Sequence, residues 1–111
     1  ILALKARSTV IINGISHARF KETDRVRNIT TELRKLGATV TETYDSIAIQ
    51  PPAVLKNASL ESFDDHRLFM ALAIASLMTN NSTLNGAQSV DVSYPSFIDD
   101  LTNMGANISI C

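Results

Sequence analysis

A chain of 111 residues, 45% hydrophobic and 19% charged, has the composition of one globular core. Its net charge of −1 leaves no electrostatic footprint for general nucleic-acid or membrane-surface binding. The single cysteine, Cys111, supports neither a disulfide framework nor a thiolate metal site. No apolar run reaches membrane-spanning length, so a cytoplasmic location is expected.

Ile1-Leu2-Ala3-Leu4-Lys5 reads as the tail of a helix, and with a start at Ile1 it gives the expectation that the chain is cut from a longer one. Thr9 to Ile12 is a β-branched run closed by Asn13-Gly14, hence a strand and a turn. Ile15 to Phe20 is expected as a second extended piece. A charged stretch follows, in which Arg19, Lys21, Arg25 and Arg27 surround Glu22 and Asp24. Thr23 or Asp24 fits an N-cap, because its side-chain oxygen takes a free N–H of the first turn. Arg25 and Arg27 then occupy a first turn, where the helix dipole disfavours cations. Either this is a solvated turn with local ion pairs, or the cations and the helix N-terminus converge on an anion.

From Asp24 to Leu36 the apolar residues Val26, Ile29, Leu33 and Leu36 fall at helical spacing, with Glu32, Arg34 and Lys35 expected to face water. Gly37 stops the helix. Ala38 to Thr43 and Ser46 to Gln50 read as strands joined by a tight turn at Tyr44-Asp45, and Pro51-Pro52 ends the second. Val54 to Ser62 reads as a loop holding one more short strand. Leu68 to Met78 is apolar nearly all round, the mark of a helix buried on several faces. In front of it stands Asp64-Asp65-His66-Arg67; Asp65 and His66 are expected to orient Arg67 or to cap the helix. Thr83 to Asn85 is a short strand. Pro95 opens a third helix with Phe97, Ile98, Leu101 and Met104 on one face, and Asn107 to Ile110 is expected as a last strand.

Glu32-Leu-Arg-Lys-Leu-Gly-Ala-Thr-Val40 matches Asp100-Leu-Thr-Asn-Met-Gly-Ala-Asn-Ile108 in step. Each copy reads as a helix end, a glycine stop and a following strand, which points to an α/β domain assembled from copies of one unit. His17 and His66 lack further ligands at metal-site spacing, so no metal is expected.

Three motifs carry a resemblance: His-Ala-Arg-Phe-Lys-Glu-Thr-Asp-Arg at 17–25, Asp-His-Arg at 65–67, and Ser-Tyr-Pro-Ser-Phe at 93–97 with Asp100-Leu101. Together they resemble the 5-enolpyruvylshikimate-3-phosphate synthase family, along essentially the whole chain. The resemblance implies an α/β fold, part of an enolpyruvyl transferase-type domain built from βαβαββ repeats with helices packed inside. Residues 1–111 would form the C-terminal portion of one such domain, the N-terminal domain and the start of this one lying outside the chain. It implies transfer of the enolpyruvyl group of phosphoenolpyruvate to the 5-hydroxyl of shikimate 3-phosphate, through a tetrahedral intermediate and with no cofactor, in the shikimate pathway of aromatic amino acid biosynthesis. Arg25 and Arg67 fall on the arginines that hold phosphoenolpyruvate, and Lys21 on a lysine at the shikimate 3-phosphate side. Glu22 falls on the carboxylate that moves a proton at the methylene carbon. His17 stands where some relatives carry an asparagine touching the sugar-like substrate. Many relatives carry a lysine two residues before the aromatic of the Ser-[Tyr/Phe]-Pro segment; here that place is Val92. The chain by itself is expected to be inactive. Two other readings stay open: a non-catalytic module that binds phosphorylated ligands, and a relative of the RNA 3′-terminal phosphate cyclases, which the near-neutral charge and the Asp-His-Arg motif oppose.

Overall fold

Val26, Leu33 and Leu36 are at most 1% exposed in a computed structural model that describes residues 1–111. Val26 and Leu33 lie on the inner stripe of α1 (Arg25–Lys35), and Leu36 is its C-cap. Asp24 caps this helix, its carboxylate accepting from the Arg27 N–H at 3.0 Å. At the other end Gly37, with φ +102°, donates to the Arg34 carbonyl at 3.0 Å and Ala38 to that of Leu33 at 3.2 Å. This is a Schellman closure. The repeated segment ends α3 (Phe97–Asn103) in the same way, with Gly105 bonded to Thr102 and Ala106 to Leu101, both at 3.0 Å.

Around α1 the chain builds β1 (Val10–Ile12), β2 (Thr39–Glu42) and β3 (Ile47–Gln50). The middle strand, β3, runs antiparallel to both neighbours. β1 and β2 are therefore parallel and joined by α1, with β3 between them, a split β-α-β unit. The register aligns Val10, Ile49 and Val40 toward the core and Ile11, Ala48 and Thr41 on the opposite face. A second unit follows: β4 (Ser59–Glu61), α2 (His66–Ser76) and β5 (Thr83–Asn85), its two strands parallel. Leu33, Leu36, Val40, Ile49, Leu60 and Leu72 share one core, so α1 lies between the three-stranded sheet and β4 with α2 beside it. Phe69, Val90, Phe97 and Leu101 form a smaller one. The expected mixed α/β architecture holds, and no helix is long and apolar enough to cross a membrane.

Several local expectations are corrected. Residues Ser16–Phe20 form a 3-10 turn rather than an extended piece, because the Ala18 N–H turns back to the Ile15 carbonyl at 2.9 Å. Glu32 has no exposed surface. With the sheet on one side of α1 and β4 on another, its carboxylate is enclosed, accepting from the Glu61 N–H at 2.9 Å and from Lys35 at 3.0 Å. The face of α2 carrying Leu68, Phe69, Leu72 and Ala75 is buried, while Ile74 and Leu77 are 38% and 41% exposed because nothing within the chain covers them. Met104 lies beyond the last turn of the short α3 and is exposed. Residues 107–110 form no strand, since no other segment lies alongside to complete a ladder. Ala87–Val92, which carries no periodic signal, is a 3-10 turn.

Gly86 closes β5 with φ +95°, and a Cβ there would lie 2.0 Å from the buried Ser62 Oγ. Gly86→Ala combines left-handed strain with overpacking, an expected loss of about 3 kcal/mol. It will be read as a lower urea midpoint with an unchanged denaturant slope.

Candidate active site

Between β4 and α2 the chain reverses in four residues, Ser62 to Asp65, closed by the Asp65 N–H on the Ser62 carbonyl at 3.0 Å. The two central residues, Phe63 and Asp64, have φ of 55° and 57°, the geometry of a type I′ turn. Neither is a glycine, so each stores strain on the order of 1–3 kcal/mol. The Glu61 carboxylate takes the Phe63 N–H at 3.1 Å and so supports the turn.

The turn delivers Asp65 to the N-cap of α2 and directs its carboxylate under the first turn of α1. Asp65 has no exposed surface. Oδ1 accepts from the Arg67 N–H at 3.0 Å, the Leu68 N–H at 3.4 Å and Arg25 Nη2 at 3.2 Å. Oδ2 accepts from Arg25 Nε and Thr23 Oγ1, both at 2.9 Å. Burial pushes the carboxyl up, but the Arg25 hydrogen bonds, Thr23, the Leu68 N–H and the Arg25 charge together hold it below its ordinary value of 3.8.

Glu22 also pairs with Arg25 Nη2 and is about half exposed. Glu22, Arg25 and Asp65 thus meet directly, and Arg67 joins them through its backbone. The side chains of Arg67 and Lys21 form no ion pair or hydrogen bond, and both residues are exposed. Asp65 does cap α2, but the arginine side chain it orients is Arg25 and not Arg67. His17 is exposed on the Ser16–Phe20 turn and forms no hydrogen bond or ion pair with this cluster. Val92 is 79% exposed at the end of the Ala87–Val92 turn. Tyr94 is 40% exposed, its hydroxyl donating to Asp100 at 2.7 Å, whereas Phe97 belongs to the core.

The other two cations of the charged stretch have structural partners. Arg19 donates to Asp24 at 3.0 Å, to Glu42 at 2.8 Å, and to the carbonyls of Thr43 and Tyr44 at 2.6 and 2.7 Å. Arg27 donates to Glu42 at 2.7 Å. The four cations of the stretch therefore do not all converge: Arg19 and Arg27 fasten the start of α1 to β2, leaving Lys21 and Arg25, with Arg67 from the start of α2. A cavity of about 460 Å³ lies elsewhere, between Leu4, Pro52, Val54, Leu55 and Met78. Lys5 is the one charged residue in its lining, and none of the Arg25 cluster reaches it. No three His, Cys, Asp or Glu side chains are placed to hold a metal ion.

A braced arginine, two cations with free side chains and a half-exposed carboxylate sit at the N-termini of two helices. The class they define is an α/β unit whose helix N-termini and cations can attract an anion. Residues 1–101 match the family described as EPSP synthase (3-phosphoshikimate 1-carboxyvinyltransferase), and the chain belongs to that family. It is 43% identical over 111 residues to the 3-phosphoshikimate 1-carboxyvinyltransferase of Methanocella arvoryzae, covering 99% of this chain and 26% of that protein. The Methanosarcina acetivorans enzyme of the same name is 42% identical over 108 residues, covering 97% and 25%. Among solved structures, an EPSP synthase from Acinetobacter baumannii superposes with a TM-score of 0.84 at 28% identity, covering 94% of this chain and 25% of that one. The chain thus spans about a quarter of the length of these relatives.

Because the Asp65 carboxyl is depressed in the folded state, its contribution is fully present above the ordinary carboxylate value and is lost as pH falls through the folded value. Asp65→Ala leaves Arg25 half-paired and α2 uncapped, an expected loss of about 4 kcal/mol at neutral pH. Urea unfolding across a pH series should show that gap narrowing below about pH 4.

Proposed function

We propose that this chain is the C-terminal portion of one domain of an enzyme that transfers the enolpyruvyl group of phosphoenolpyruvate to the 5-hydroxyl of shikimate 3-phosphate and releases phosphate. The observation that carries the reading is the gathering of Glu22, Arg25 and Arg67 around Asp65 in a chain that belongs to this family. The enzyme's other partner is the N-terminal domain, which supplies the facing wall of the site, and its place is the cytoplasm, within aromatic amino acid biosynthesis.

Phosphoenolpyruvate presents a carboxylate and a phosphate, and the planar forks of Arg25 and Arg67 match either group better than a lysine does. Arg25 is held through Nε and Nη2, which leaves Nη1 for the substrate. Lys21, a compact charge on a flexible stem, takes the phosphate of shikimate 3-phosphate. Glu22 lends a proton to the methylene carbon as the 5-hydroxyl oxygen adds to the neighbouring carbon, and the hydroxyl proton is carried off with the phosphate that leaves in the next step. The resulting tetrahedral adduct returns a proton from the new methyl group as phosphate leaves, restoring the double bond. His17 approaches the sugar-like ring. Val92 offers no charge, so phosphoenolpyruvate has one cation fewer from this chain than in lysine-bearing relatives.

In the full-length enzyme, Arg25→Ala and Arg67→Ala should each weaken phosphoenolpyruvate by roughly 1.5–3 kcal/mol, the worth of a charged hydrogen-bonded contact. Glu22→Gln should lower kcat with a smaller change in KM. Steady-state kinetics check both, and a folded Glu22→Gln enzyme with unchanged kcat would remove Glu22 from the mechanism.

This catalysis depends on positioning two anions between two domains. The 111-residue chain alone should therefore release no phosphate from the two substrates above the uncatalysed background in a phosphate-release assay.

A further inference from the structure

We propose that Thr23 and Asp65 are positioning residues for the phosphoenolpyruvate-binding guanidinium of Arg25, which they orient before the substrate arrives. The inference rests on the role given above to Arg25.

Capping alone does not explain the arrangement. The two N–H groups of α2 bond to Oδ1, so Oδ2 is surplus to the cap. It is Oδ2 that takes Arg25 Nε and Thr23 Oγ1. A carboxylate turns freely about its last bond, since that torsion is broad and two-fold. The Thr23 hydroxyl supplies a second fixed donor on Oδ2 and so sets the plane in which Oδ1 and Oδ2 meet the Nε–Nη2 edge of Arg25.

An arginine side chain is long and rich in rotamers, and ordering it costs entropy. With one edge seated on a carboxylate that has no exposed surface, that freedom is spent during folding and not on binding. The side chain of Arg25 is 16% exposed, and Nη1 is the one guanidinium nitrogen with no hydrogen bond within the chain. Glu22, at the far side of Nη2, is too exposed to hold a plane alone.

The strained turn supports the same conclusion. Phe63 and Asp64 occupy left-handed conformations, which an aspartate tolerates and a phenylalanine does not favour. Their effect is to set Asp65 where it reaches residues 40 and 42 positions away. Strain kept at such a point fits a carboxylate whose location matters beyond helix capping.

The test is made in the full-length enzyme by measuring kcat and KM for both substrates with Thr23→Val, Thr23→Ser and Asp65→Asn. The two Thr23 variants are also made in an Arg25→Lys background. Thr23→Val should raise the phosphoenolpyruvate KM by about 10-fold and the shikimate 3-phosphate KM by less than about twofold, with Thr23→Ser near wild type. Asparagine is as good a cap as aspartate, yet it turns a donor toward Arg25, so Asp65→Asn should raise the phosphoenolpyruvate KM at least as much. In the Arg25→Lys background, Thr23→Val should add less than about twofold, because the guanidinium it orients is gone.

Equal rises in both KM values, a Thr23→Val effect that persists beside Arg25→Lys, or no effect at all overturns the proposal. If Asp65→Asn does not fold, the Thr23 pair carries the test. An Arg25→Lys enzyme with unchanged phosphoenolpyruvate KM removes Arg25 as a ligand, and this proposal falls with it. A raised KM in Arg25→Lys beside a silent Thr23→Val overturns the positioning role alone.

Discussion

Asp65 is an ionised carboxylate with no contact with water, and its desolvation is offset only because five hydrogen bonds converge on two oxygens. Those bonds come from both units of the fold. Thr23 and Arg25 enter from the α1 side, and the Arg67 and Leu68 amides from α2. The β-α-β units share apolar contacts through Leu33, Leu60 and Leu72, but apolar packing is non-directional and tolerates small slips. The carboxylate does not. It fixes how the N-termini of α1 and α2 face each other, and every candidate site residue named here except His17 stands on or beside those termini.

Elements governed by local chemistry were legible in the sequence. The stripe from Val26 to Leu36, the hairpin between β2 and β3, the Asp24 cap and the two glycine stops need only neighbours within a few residues. Elements governed by tertiary partners were not. Glu32 looks like a surface residue on a helical wheel and becomes buried because β4, nearly thirty positions on, closes over it. Asn107 to Ile110 has a strand composition, but a strand exists only where a ladder partner lies beside it.

The site divides along the same line. Lys21, Glu22, Arg25 and Arg67 could be singled out from motif and position. The fate of Arg19 and Arg27 could not, because it depends on the register that brings Glu42 on β2 over the start of α1. Asp65 looked like the neighbour's keeper and proved to serve an arginine 40 residues away. The turn that sends it there lacks the Asn-Gly or Asp-Gly signature of its type. A residue held in place by its surroundings leaves no local mark.

The Arg25–Asp65 bond also closes a loop, and loops of this span obey a weak law. Closure entropy rises with the logarithm of length, so doubling a loop costs only about 0.6 kcal/mol. The segment from Pro51 to Ala58 lies inside the closed loop, with Ala53 and Val54 exposed and no strand or helix assigned to it. Residues could be added at Ala53 with little entropic penalty and without disturbing the carboxylate that fastens the ends. This segment is thus the natural place for length variation, or for a grafted peptide, in a chain whose site tolerates almost none.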